Sequence, residues 1–213
     1  MMRKALMFAL AMTALACVAG VSHAQVYFMY PGAPPVPGDQ PAVGANIGIG
    51  DDVFRLLGYT RFNINEVSDL GIELVLDNGS SGFGGDSWRV GAGGDYKYMI
   101  VPQDNQLPFD LAVGGGFGFQ TGGDVTNFNI LGGGLVSRPL EMNNGKIVVP
   151  YGGLYLIYSH TSFDNALVST SDNDLDVEVR GGASISFSET LRGYITLHIG
   201  SNFMAFFGLN VAL

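Results

Sequence analysis

The sequence predicts an all-β domain, a closed antiparallel transmembrane barrel of eight to ten strands, and three observations carry that expectation. Apolar and polar residues alternate with a period of two over most of the chain, and nothing beyond the first two dozen residues has a helical period. Several alternating segments run 11 to 14 residues, whereas soluble strands cluster near ~5 to 6 and membrane strands need ~9 to 11. The composition agrees: of 213 residues 32 are Gly, 47% are hydrophobic and only 14% are charged. Glycine is thus about double its usual ~7% and charge about half its usual ~25%. Glycine costs a helix ~1 kcal/mol per residue, so helical domains are disfavoured. The glycines follow no triplet period, which excludes collagen. The chain is also too apolar for a disordered tail and, with 1 Cys, too poor in thiols for a disulfide scaffold.

Residues 1–24 read as a cleaved secretory signal. Arg3 and Lys4 form a basic start, residues 5–21 are an uncharged apolar run, and Ser22 and Ala24 stand three and one before the cut. A run of 17 residues is at the lower limit of the ~17 to 25 that a spanning helix needs, so cleavage is favoured over an anchor. Cys17, after Ala14, Leu15 and Ala16, resembles a bacterial lipoprotein cleavage box, but that pattern wants Leu where Ala14 stands. Removal of the signal leaves 8 basic and 19 acidic side chains, a net charge of −11, and no cysteine. The acidic balance argues against nucleic acid as a partner, and it is repelled by anionic headgroups unless the acids are kept away from them or bound to cations. The absence of a thiol excludes disulfides, thiol catalysis and thiolate metal sites.

Residues 25–41 are a proline-rich lead-in, since the five prolines of YPGAPPVPGDQP permit neither helix nor ladder. The barrel is expected over 42–213. Its first strands, 43–49, 53–63 and 70–77, alternate weakly. The fourth, 88–100, alternates fully: Trp88, Val90, Tyr96, Tyr98 and Ile100 oppose Arg89, Gly91, Gly93, Asp95 and Lys97. The fifth, 109–120, sets Phe109, Leu111, Val113, Phe117 and Phe119 against Asp110, Gly114, Gly116 and Gln120. Strands 125–137 and 147–159 carry apolar residues on both faces. The strand over 175–187 sets Leu175, Val177, Val179 and Ile185 against Asp176, Glu178, Arg180 and Ser184. The last two cover 191–199 and 203–213. Turn signals fall at 65–69, 78–86, 102–108, 122–124, 139–145 and 188–190. Merging the first two strands and losing one more would reduce ten to eight.

The polar faces decide which side meets lipid. They are rich in Gly, Ala and Ser with scattered charges of both signs; rows of glycine weaken a solvent-facing strand, but inside a narrow barrel they make room for larger residues. An Arg at mid-membrane on the lipid side costs ~2–4 kcal/mol. The expected lumen charge network is therefore Arg89, Asp95, Lys97, Asp110, Asp176, Glu178, Arg180, Arg192 and His198. Pairing Phe187 with Leu191 across a turn sets Arg180 opposite His198 and Arg192 opposite Ser186, with Glu178 or Asp176 as neutraliser. Trp88, Tyr96, Tyr98, Phe117, Phe119, Phe203 and Phe207 are the expected lipid-facing aromatic belt.

On these features, the signal, the dyad strands and a last strand at the C-terminus, the chain resembles the small outer-membrane β-barrels of Gram-negative bacteria, the outer membrane protein A-like and W-like group. Members usually end in an aromatic residue, where this chain has Leu213. The resemblance implies export to the bacterial outer membrane, with outer-membrane lipid and the barrel assembly machinery as partners, and a structural or surface-interaction role. Two alternatives share the pattern: a narrow channel for ions or small apolar solutes, and a soluble periplasmic barrel holding a lipid.

No cofactor, metal or enzyme activity is expected. HIGSN, from His198, is similar to the His-x-Ser-Asn stretch of an outer-membrane lipid A deacylase, but here Ser201 is three residues on, which in a strand sends it to the other face. His160 is expected at a strand exit beside Thr161 and Ser162. Asp172, Asp174, Asp176 and Glu178 alternate like a calcium loop, yet Val177 stands where the glycine belongs, so a solvated acidic loop is expected. The glycines at 114–118 lack the lysine and helix of a phosphate loop.

Overall fold

In a computed structural model, residues 41–50, 53–80, 86–101, 108–164 and 169–213 are described. The expected signal, and all but the last residue of the expected lead-in, lie outside them. The strands are β1 (Ala42–Gly50), β2 (Val53–Asn65), β3 (Ser68–Ser80), β4 (Asp86–Val101), β5 (Asp110–Gly122), β6 (Val125–Ser137), the two-residue β7 (Leu140–Glu141), β8 (Ile147–Asp164), β9 (Ser169–Ser186), β10 (Leu191–Ile199) and β11 (Phe203–Ala212). Each long strand pairs antiparallel with its sequence neighbours, β6 pairs with β8, and β1 closes on β11 from Ala42↔Ala212 to Gly50↔Met204. The result is a closed barrel of ten strands, with β7 attached outside the circuit to β8. The eight-strand alternative is excluded, because β1 and β2 are separate strands that pair antiparallel with each other.

Both chain ends of the barrel lie at one rim, where Leu213 N–H donates to Pro41 O at 3.0 Å. At the opposite, distal rim, β9 rises beyond β10, which stops at Ile199 opposite Val179, so residues 169–178 pair with β8 alone. The acidic run is therefore strand and not loop, because alternate Asp and Asn on one edge do not prevent pairing with His160, Thr161 and Ser162. For the same reason His160 sits within β8 rather than at its exit. Phe109, expected in a strand, precedes β5, and the 65–69 turn shrinks as β2 and β3 extend to Asn65 and Ser68.

Polarity is inverted. Val43, Ile47, Phe54, Leu70, Leu74, Leu154, Leu156, Ile195 and Leu209 are exposed on the outside, while charged side chains are buried inside. The seven belt residues are all exposed, from Tyr98 at 43% to Phe117 at 58%. Inside, the glycines have a specific use. Among the described residues, each of the five buried Tyr and Phe rings stands directly across the ladder from a glycine: Tyr59 from Gly44, Phe206 from Gly48, Tyr155 from Gly133, Tyr151 from Gly182 and Tyr194 from Gly208. The ring lies flat over the space a side chain would fill. A Cβ on Gly133 would run into the backbone oxygen of Leu154 and would lie 2.8 Å from Tyr155 Cγ, so Gly133→Val is expected to cost about 1–3 kcal/mol through overpacking. Urea titration of the folded barrel reads this loss, and adding Tyr155→Val should not recover it, because the backbone contact remains.

Candidate functional site

The lumen is the largest concentration of chemistry in the fold, and it is assembled from two-residue spacing. On β2 the period puts Arg55, Leu57, Tyr59 and Arg61 inward; on β3 it does the same for Asp69, Gly71, Glu73, Val75 and Asp77; on β4 for Arg89, Asp95 and Lys97. Antiparallel register then sets opposite charges across from one another, with Asp77↔Arg89, Asp69↔Lys97 and Arg55↔Asp77 as ladder partners.

Three clusters result. Towards the rim that holds the chain ends, Arg61 grips Asp95 with both terminal nitrogens, at 3.2 and 2.8 Å, and reaches Asp69 through Nε at 3.1 Å. Lys97 Nζ lies 3.2 Å from the second oxygen of Asp69. Towards the distal rim, Asp77 accepts from Arg55 Nη2 at 2.7 Å, Arg89 Nε at 2.9 Å and Gln120 Nε2 at 2.6 Å. On the opposite wall, Glu178 pairs with Arg180 and lies 3.2 Å from His198 Nδ1, and the Arg180 guanidinium sits 4.3 Å over the Tyr155 ring. The Arg180↔His198 and Arg192↔Ser186 register is the one the turn geometry implies, with Phe187 N–H bonded to Leu191 O.

Of the nine charged lumen candidates, Arg89, Asp95, Lys97, Asp110, Glu178, Arg180 and His198 are buried. Asp176 is half-buried near the distal rim and accepts from Ser201 Oγ at 3.0 Å. Arg192 is half-buried at the first turn of β10, away from the three clusters. Sequence reasoning missed Arg55, Arg61, Asp69, Glu73 and Asp77, which include the centre of two clusters. Their signal was the same alternation, but Leu56 beside Leu57 blurs the faces of β2, and Asp77 precedes an Asn-Gly-Ser run that reads as turn.

Polar tyrosine pairs fill the remaining space: Tyr151 with Thr196, and Tyr194 with Asn46. Arg55, Glu73, Gln120, Tyr155, Phe206 and His198 are all under 2% exposed. Side chains lining a water-filled bore would retain accessible surface, so this packing is that of a filled narrow barrel. Chemically, paired and buried charges of this kind hold geometry and offer no accessible reactive atom. Among the described residues no group of three or more His, Asp or Glu is arranged to hold a metal ion.

The rims differ in charge. All eight Lys and Arg beyond residue 24 lie in the lumen or toward the rim with the chain ends, where Arg138 and Lys146 are exposed alongside Glu66, Glu141 and Glu189. Apart from the buried Arg55 and Arg89 of the lumen, the described distal residues carry Asp124, Asp164, Asp172, Asp174 and Asp176 with no Lys or Arg.

No protein-family model matches the sequence, and no curated protein matches it. Solved structures do match in shape. The β-domain of the Bordetella autotransporter BrkA superposes with a TM-score of 0.55 at 10% identity, over 82% of this chain and 99% of that one. The translocator domain of autotransporter NalP from Neisseria meningitidis gives 0.43 at 11% identity, over 99% and 96%. The N-terminal barrel of Pseudomonas aeruginosa OprF gives 0.39 at 9% identity, over 84% and 99%. The likeness to the BrkA domain is one of fold, a closed antiparallel barrel.

Proposed function

We propose that this chain is an integral outer-membrane β-barrel with a filled lumen, whose role is structural or surface-interacting rather than conductive. The inverted polarity carries the reading. A barrel with Leu74 at 65% exposure outside and Asp77 at 0% inside is stable where the outer face meets hydrocarbon and not water. The charge asymmetry of the rims supports an orientation with chain ends, Arg138 and Lys146 on the inner side and the acidic rim outward. Export by a cleaved signal and insertion by the barrel assembly machinery belong to the same proposal.

Unboiled, folded protein should migrate apart from boiled protein on a gel and should fractionate with outer membranes. Identical migration and recovery in the periplasmic fraction would overturn the membrane reading in favour of a soluble lipid-binding barrel. In planar bilayers the filled lumen should give no resolved single-channel steps. Steady unitary conductance would instead support the narrow-channel alternative.

A further inference from the structure

Three polar side chains on the outer wall are hydrogen-bonded in series, and the lumen network does not include them. Ser162 Oγ lies 3.2 Å from His160 Nε2, and His160 Nδ1 lies 2.8 Å from Asn173 Oδ1. Tyr158 Oη donates to the same Asn173 oxygen at 2.8 Å. We propose that Ser162, His160 and Asn173 form a serine-hydrolase site that cleaves ester-linked acyl chains of membrane lipid at the distal rim.

The arrangement follows from strand physics. His160 and Ser162 are two apart on β8 and therefore share a face, the one that carries exposed Leu154, Leu156 and Tyr158. Asn173 is the ladder partner of His160 on β9, so it projects to the same side. The pair discounted in the sequence, His198 and Ser201, lacks this relation: His198 is fully buried against Phe206, with ring centroids 4.7 Å apart.

The hydrogen bonds define roles. Asn173 Oδ1 can only accept, so His160 carries its proton on Nδ1 and leaves Nε2 free to accept from the Ser162 hydroxyl. That is the nucleophile, base and orienting group of a triad, recognised by geometry and not by sequence position. Tyr158 is a positioning residue, holding the Asn173 amide with its oxygen toward the imidazole.

The surroundings name the substrate class. Below the site, toward mid-membrane, Ile130 at 49%, Leu156 at 55% and Leu175 at 68% exposure form an apolar shelf, and Phe128 flanks His160 from β6. Above it, toward the distal rim, β8 and β9 end at exposed Asp164 and Ser169. An ester bond sits at this boundary in a lipid, with its acyl chain along the shelf and its headgroup above. In the reaction, Ser162 Oγ attacks the ester carbonyl carbon while its proton passes to His160 Nε2. The tetrahedral intermediate collapses with cleavage of the carbonyl carbon–oxygen bond, and the departing alkoxide takes that proton and leaves as the lipid alcohol. Water then attacks the acyl-serine, giving a proton to His160, which returns it to Ser162 as the fatty acid departs. Ser171, opposite Ser162 in the ladder and on the same face, brings a hydroxyl beside the reacting carbonyl to donate to its oxyanion.

The test uses the full chain folded in detergent micelles, with a long-chain fluorophosphonate probe and two lipid substrates. Vesicles of phosphatidylethanolamine should yield fatty acid and lysolipid if phospholipid is the source; purified lipopolysaccharide should yield its ester-linked chains if that is. The probe should label Ser162, and Ser162→Ala or His160→Ala should lower kcat by about 100-fold or more. Asn173→Ala should lower kcat about tenfold with KM unchanged, because it orients the base and does not touch lipid. These positions are exposed or half-buried, so each variant should keep the heat-dependent gel shift of the folded barrel. Hydrolysis that persists in Ser162→Ala overturns the proposal. So does a folded wild-type chain that takes no probe and cleaves neither lipid, and that outcome leaves the membrane reading intact.

Discussion

Asp77→Ala should lower folding stability by about 3–5 kcal/mol, the range for removing one partner of a buried ion pair. Asp77 is fully buried and is the common acceptor for Arg55, Arg89 and Gln120. Its removal leaves the guanidinium groups of Arg55 and Arg89, on the strands either side of β3, without the carboxylate between them, in surroundings where water screens little. Asp77→Asn should cost less, since the amide oxygen still accepts one of the three hydrogen bonds. A triple change of Arg55, Asp77 and Arg89 to Met, Leu and Met should be far milder than Asp77→Ala alone, because it removes the desolvated charges together. Equilibrium unfolding in urea, followed by the gel shift and by tryptophan fluorescence of Trp88, measures the series. Near-equal stability of Asp77→Ala and the parent would mean that water reaches the cluster, contrary to a filled lumen.

Leu74→Arg should cost about 2–4 kcal/mol when the barrel is folded in lipid vesicles, the penalty for Arg near the midplane of a barrel's lipid face. Leu74 is at the centre of β3 and points outward between Gly58 and Ala92 of the flanking strands. Its side chain has no buried partner to lose, so the cost is one of transfer to hydrocarbon. The same substitution on a water-facing wall would be neutral or would improve solubility. The result therefore distinguishes the membrane barrel from a soluble one independently of fractionation.

Much of the fold was legible because a strand's period is two. Full alternation over β4 assigned Arg89, Asp95 and Lys97 to one face and Trp88, Tyr96 and Tyr98 to the other without reference to any neighbour. The β9–β10 register was legible too, since a short turn at residues 187–191 fixes every pair along the hairpin. Where both faces of a strand are apolar, as at Leu56 and Leu57, alternation gives no direction and the charges beside it go unread. The triad on the hairpin was hidden for a related reason: acidic and polar residues at 169–174 read as loop, so nothing in the chain set Asn173 beside His160.

The sequence by itself determined an all-β chain, long strands, and an inside and an outside for most side chains, because those follow from local periodicity and from the cost of charge in lipid. The tertiary structure decided which residues meet. Closure brings Tyr194 of β10 to Asn46 of β1 and Arg55 of β2 to within 4.0 Å of Met204 on β11. It also sets a glycine across from each of the five buried Tyr and Phe rings. These contacts depend on the register between strands far apart in sequence and on the curvature of ten strands closing on themselves, and neither is encoded in any one segment.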